Sequence, residues 1–159
     1  MLTLRKIEPE DREFLHRVYA STRAEELALT GWDEAQKETF LKMQFEAQDR
    51  FYHEHYEQAS FQIIVRDGAA AGRIYVNRGA GVIELIDIAL LPEHRRAGLG
   101  TARVKELLEE AERTRKPVLI YVEQFNPAQR LYQRLGFVKV EEVGVYWKMR
   151  WTPEGMRTK

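Results

Sequence analysis

The 159-residue sequence predicts a single domain of mixed α/β (α+β) class, with elements in the order β-α-α-β-β-β-α-β-α-β-β. Three observations carry that expectation. Apolar residues recur at helical spacing as far as Tyr56 and switch to period-two alternation from Ser60, separating a helical front from a strand-rich remainder. Residues 84–104, ELIDIALLPEHRRAGLGTARV, run as an apolar strand, stop at Pro92, turn through Gly98 and Gly100, and continue as an amphipathic helix. Residues 118–122, VLIYV, form a near-continuous apolar run, the pattern of a strand buried on both faces. A helix joins these last two strands, so they are expected to be parallel neighbours.

The remaining elements follow in order. Leu2, Leu4 and Ile7 alternate with polar residues, as in an edge strand. Pro9, Glu10 and Asp11 suit a helix start, and Phe14, Leu15, Val18 and Tyr19 carry that helix to about Leu29. Asp33 with Gln36 forms a capping box that opens a second helix, marked by Phe40, Leu41, Phe45, Tyr52 and Tyr56. Asp67-Gly68 is a hairpin signal between two strands, and a second turn at 78–81 leads into the long strand 82–91. Gly100, Val104, Leu107, Leu108 and Ala111 form the stripe of the third helix. Asn126 and Pro127 read as a cap and first residue of a short fourth helix ending at Gly136. Two strands, 137–140 and 143–151, close the chain, and 152–159 are expected to fray.

Composition narrows the function. Lys+Arg and Asp+Glu are both 25, so net charge gives no support to a nucleic-acid or acidic-membrane partner. The absence of cysteine removes disulfides, thiolate metal ligands and an acyl-Cys intermediate, and fits a reducing, cytoplasmic setting. The opening residues MLTLRKIEPEDREF contain no apolar leader core, and no run approaches the roughly 20 apolar residues of a membrane helix. His53 and His55 stand two apart on a helix and do not share a face, so no metal site is expected.

The turn at 95–100 gathers backbone N–H groups and a helix N-terminus, which suits an anion. It is not a Walker loop, because no Gly-Lys-Ser/Thr is present. It is a poor dinucleotide fingerprint, because Arg103 stands where a third small residue is wanted. A diphosphate cradle with guanidinium charge from Arg95 and Arg96 remains, beside the plainer alternative of a tight turn whose glycines only permit packing.

Arg95-x-x-Gly98-x-Gly100 resembles the acetyl-CoA signature of the GCN5-related N-acetyltransferase (GNAT) superfamily. A second, separate segment, residues 126–137 (NPAQRLYQRLGF), is similar to that superfamily's Asn…Ala…Leu-Tyr…Gly-Phe pattern on its fourth helix. The resemblance implies a largely antiparallel seven-stranded sheet with four helices, splayed between strands 4 and 5. It implies acetyl-CoA as cofactor, its pantetheine arm paired with backbone at Ile88, Ala89 and Leu90. The diphosphate would sit on amides of Arg95, Arg96, Ala97, Gly98, Leu99, Gly100 and Thr101, with His94 at its border. Asn126 and Tyr132 would face the cofactor.

The implied activity is N-acetyl transfer to a primary amine, on a small molecule or a protein, by direct attack in a ternary complex. Amide formation needs a neutral amine, a donor for the developing oxyanion and a proton for the departing thiolate. Tyr132 matches the superfamily's fourth-helix tyrosine and is the candidate thiolate acid. Glu84, eleven positions before Arg95, is similar in placement to the glutamate base of histone-acetylating members, with Asp87 on the opposite strand face as runner-up. An N–H near Leu90 is the candidate oxyanion donor. Gln44 and Gln48 are candidate acceptor contacts. The competing reading is a non-catalytic module of the same fold that binds or senses acyl-CoA. A homodimer is compatible with either.

Overall fold

A computed structural model describes residues 1–95, 97–124 and 126–157. The strands are β1 (Leu2–Lys6), β2 (Ser60–Arg66), β3 (Ala69–Arg78), β4 (Ile83–Leu90), β5 (Val118–Glu123), β6 (Val138–Val143) and β7 (Tyr146–Trp151). The helices are α1 (Arg12–Ala28), α2 (Glu34–His55), α3 (Leu99–Thr114) and α4 (Ala128–Arg134). They occur in the expected order. The strands form one seven-stranded mixed sheet in the order β1-β2-β3-β4-β5-β7-β6, mostly antiparallel, with β4 and β5 as the parallel pair. That pair is registered at Ile83↔Val118, Glu84↔Leu119 and Leu85↔Ile120, all at the strands' first residues, which is where the splay begins.

Several local predictions can be read in the backbone. Asp33 accepts from the Gln36 N–H at 2.8 Å, and Gln36 Oε1 accepts from the Asp33 N–H at 3.0 Å, completing the capping box of α2. Asp67 (φ 49°) and Gly68 (φ 84°) both take positive φ, as a two-residue hairpin of primed type requires.

Other features differ from expectation. β5 is not buried on both faces: Val118, Ile120 and Val122 are buried, but Tyr121 is 47% exposed. Tyrosine keeps its hydroxyl in water while its ring lies on the sheet, so it can look apolar in sequence and still mark an outer face. Pro127 occupies the N-cap position of α4 rather than its first turn, and Asn126 caps from one residue earlier. Beyond β7, the segment expected to fray makes a 3-10 turn over Glu154–Met156. Pro153 is fully buried, and the Glu154 N–H donates to Glu112 at 2.9 Å.

The chain divides into two compact units, one of residues 1–75 with 87–97 and one of residues 76–86 with the chain from 98. In the first, Leu15, Tyr19, Phe45 and Ile63 form the core, with Phe14, Leu41 and Val65 packed against them. In the second, the buried residues of α3 (Leu99, Arg103, Val104, Leu107, Leu108 and Ala111) make one helical stripe, and Tyr132, Phe137, Met149 and Trp151 are buried as well.

Arg78 and Glu110 form a bidentate pair in this second unit, Nε to Oε2 at 2.6 Å and Nη2 to Oε1 at 2.9 Å. The hydrogen bonds from Arg78, opposed by partial burial, hold the Glu110 carboxyl below its ordinary value of 4.5. A carboxylate depressed in the folded state stabilises above its unfolded pKa, and that stabilisation is lost as pH falls through the folded one. Glu110→Gln should therefore lower the urea midpoint at neutral pH and make its decline below about pH 4.5 shallower than in the wild type. Parallel acid slopes for the two proteins would count against this role.

Candidate active site

In the first unit, β4 ends beside β3. Gly72 of β3 lies so close to β4 that a Cβ there would meet the Ala89 carbonyl oxygen at 2.2 Å and Leu90 Cα at 3.0 Å. Only glycine admits that approach. The Leu91 N–H donates to Ala71 O at 2.9 Å, fixing the strand end against β3. Ile88, Ala89 and Leu90 are half-buried, which leaves part of this stretch accessible.

Arg95 makes hydrogen bonds within its own unit. Its Nε donates to Leu90 O at 3.0 Å, its Nη2 donates to Ser21 Oγ at 3.1 Å, and its N–H donates to Pro92 O at 3.2 Å. The guanidinium thus braces the turn against the β4 terminus and α1, on a side chain that remains exposed. A planar fork satisfies two acceptors at once, and a strand's last carbonyl is available to take one of its bonds. Arg96 lies outside the described residues. His94 is half-buried, and its Nδ1 finds no hydrogen-bond partner among the described residues.

A buried polar network stands beside this strand. Arg73, 3% exposed, donates from Nε to Asp87 Oδ2 at 2.6 Å and from Nη2 to Gln48 Oε1 at 2.9 Å, and its Cζ lies 4.9 Å from the centre of the Tyr75 ring. Burial alone would lower the Arg73 pKa, but Asp87, Tyr75 and Tyr52 outweigh it and raise the value. Burial, partly offset by Arg73, pushes the Tyr75 hydroxyl up to about 12. Asp87 is therefore committed to an ion pair, and Gln48 is turned to Arg73. Sequence reasoning missed Arg73, although a lone cation inside the apolar strand AAAGRIYV was a visible signal.

The second unit holds the start of α3 and the α4 region. Gly98 is the N-cap of α3 with φ 74°, in the left-handed region that favours glycine, and the space around it is open. No side chain caps this helix and no acid stands in its first turn. Among the described residues, the N–H groups of Leu99, Gly100 and Thr101 thus meet no N-cap side chain and no acid of the helix's own first turn, an arrangement that suits an anion. These residues fit the diphosphate of CoA. Ala97, the last residue of the first unit, precedes this turn and is exposed.

Asn126 Oδ1 accepts from the Ala128 N–H at 2.9 Å, so its side chain starts α4. Gln129 Nε2 donates to the carbonyls of Glu123 and Gln124, beside a shallow open cleft of about 390 Å3 lined by Gln124, Asn126, Pro127, Gln129 and Arg130. Tyr132 is buried at 8% exposure, edge-on to Phe137 with ring centres 5.6 Å apart. Glu84 is half-buried between buried Ile83 and Leu85, on the strand face it shares with Ile86 and Ile88. Among the described residues, no group of His, Asp and Glu side chains could hold a metal, and no helix is long and apolar enough to cross a membrane.

Residues 12–137, well over half of the chain, match the family model described as the acetyltransferase (GNAT) family. The chain belongs to the GNAT family of acetyltransferases. Solved GNAT-fold structures agree over nearly the full length. The PaiA N-acetyltransferase of Thermoplasma acidophilum, in complex with coenzyme A, superposes with a TM-score of 0.72 at 19% identity, covering 96% of this chain and 99% of that one. An acetyltransferase of Thermus thermophilus gives 0.67 at 21% identity, covering 94% and 95%. The ribosomal-protein-S18-alanine N-acetyltransferase of Escherichia coli gives 0.60 at 22% identity, covering 96% and 94%. No curated protein sequence matches significantly. At such identities the neighbours establish the GNAT fold, and the family model establishes the family.

Proposed function

We propose that this GNAT protein is an N-acetyltransferase that binds acetyl-CoA and acetylates a primary amine on a small molecule or a protein. The observation that carries the reading is the start of α3: a left-handed Gly98 followed by an uncapped helix N-terminus free of acids, inside a chain of this family. That the Thermoplasma neighbour is a complex with coenzyme A supports the choice of ligand.

Acetyl-CoA supplies the acetyl group as an activated thioester. Amides of Ala97, Gly98, Leu99, Gly100 and Thr101 hold its diphosphate, with Arg95 bracing the turn. The backbone of Ile88, Ala89 and Leu90 takes the pantetheine arm, and the Leu90 N–H donates to the carbonyl oxygen as charge develops there. Asn126 lines the site at the start of α4. The acceptor ammonium gives a proton to Glu84, directly or through water, and the neutral amine attacks. Tyr132 would donate its hydroxyl proton to the departing sulfur, and the second proton of the attacking nitrogen, released as the amide forms, would restore the Tyr132 hydroxyl. With no cysteine in the chain, attack within a ternary complex is preferred to an acyl-Cys route.

The test is calorimetric titration with CoA, followed by a thiol-release assay with acetyl-CoA over a panel of amines. Micromolar binding with thiol release for at least one amine is the expected result. Binding without release from any amine would favour a module that senses acyl-CoA, and no binding at millimolar CoA would end the cofactor assignment.

A further inference from the structure

Within the second unit, strand register lines four residues up in one row. Glu84 of β4 pairs with Leu119 of β5, Leu119 pairs with Arg150 of β7, and Arg150 pairs with Val138 of β6. Residues paired in this way share one face of a sheet, and their chain neighbours point to the other. The neighbours Ile83, Leu85, Val118, Ile120, Met149 and Trp151 are buried. Glu84 and Leu119 are half-buried, and Arg150 and Val138 are exposed, so the row lies on the accessible face of these strands. Two strand spacings put the backbones of Glu84 and Arg150 roughly 10 Å apart, with a leucine between them.

Arg150 is the unbalanced member of this row. Its cross-strand neighbours, Leu119 and Val138, are both apolar, and its guanidinium makes no ion pair or hydrogen bond among the described residues. The next cation on the same face differs, because Lys148 has Glu141 opposite it on β6. Arg150 also lines an open cleft of about 370 Å3 with Val82, Pro117, Leu119, Thr152 and Met156. A guanidinium on the wall of a largely apolar cleft suits a carboxylate or a phosphate, whose oxygens its fork matches. We infer that the acceptor is a small zwitterionic amine, its anionic group held by Arg150 and its ammonium turned to Glu84. This rests on the acetyl-transfer reading, with Glu84 as base. A short carbon chain lying over Leu119 would join the two ends. Opposite charges at those ends orient such an acceptor, whereas a plain amine is held at one end only. Arg150 takes no proton and makes no bond to the acetyl group, so it sets specificity and leaves the chemical step to other residues.

Thiol release from acetyl-CoA should be compared for γ-aminobutyrate against propylamine and for phosphoethanolamine against ethanolamine, each pair differing only in the anionic group. The wild type should show a KM about fivefold lower for the anionic member of at least one pair, and that pair names the anion. Arg150→Gln should raise this KM about fivefold while kcat stays within about twofold. The KM of the plain amine should not move, which also shows that the variant is folded. Arg150→Glu should reverse the preference. A wild type indifferent to the anion, or an Arg150→Gln protein that discriminates as the wild type does, would overturn the assignment. Release from no amine at all would be a failure of the acetyl-transfer reading, and NMR shift titration with γ-aminobutyrate and phosphoethanolamine then decides. Tighter binding of either by the wild type than by Arg150→Gln would uphold the anion site, and equal or undetectable binding would overturn it.

Discussion

Asp87→Ala is expected to destabilise the protein by about 3–5 kcal/mol, because it strands a buried guanidinium without its anion. Arg73 is 3% exposed, and its side chain donates to Asp87 at 2.6 Å and to Gln48 at 2.9 Å. Removing Asp87 leaves an amide oxygen and the Tyr75 ring face, neither of which carries the balancing charge. Urea denaturation at pH 7 reads the effect directly. The contrast lies in the double variant Arg73→Met with Asp87→Leu, which removes both charges. It should recover most of the loss, since replacing a buried pair by apolar residues is often near neutral. A single variant within about 1 kcal/mol of wild type would mean that water reaches Arg73 and that the pair is not a buried one in solution.

Tyr132→Phe is expected to lower turnover with acetyl-CoA by roughly 100- to 10,000-fold, the usual range for losing a positioned proton donor. CoA affinity should change by less than about tenfold, since at most one hydrogen bond is lost. The ring is buried and rests edge-on against Phe137, so phenylalanine keeps the packing, and only the hydroxyl is tested. Steady-state kinetics beside calorimetric CoA titration separates the two quantities. Equal turnover for the two proteins would reduce Tyr132 to a packing role, and a parallel fall in both quantities would make it a binding residue.

The features legible in the sequence are those decided within a few residues. The Asp33–Gln36 capping box, the positive φ values of Asp67 and Gly68, and the left-handed Gly98 before α3 each depend on a local rule about donors or sterics. The family signature at Arg95, Gly98 and Gly100 was legible for the same reason. What stayed hidden depends on distant partners. Nothing near Arg95 in sequence announces that Ser21, 74 positions away, accepts from its side chain. The ion pair of Asp87 is equally invisible, because its partner Arg73 sits on another strand. The outward side of Tyr121 was masked because an amphipathic ring reads as apolar in a five-residue run.

The contact between Gly72 and the Ala89 carbonyl bears on anyone redesigning the protein for new acceptors. A randomised library that includes position 72 would consist almost wholly of chains that force β4 outward, because even one methyl group collides with main chain rather than with a yielding side chain. Gly81 presents the reverse case, with negative or extended φ and nothing within 4 Å of an added Cβ. Diversity placed there carries no such steric cost, and alanine at Gly81 would also narrow the unfolded ensemble in favour of the folded chain.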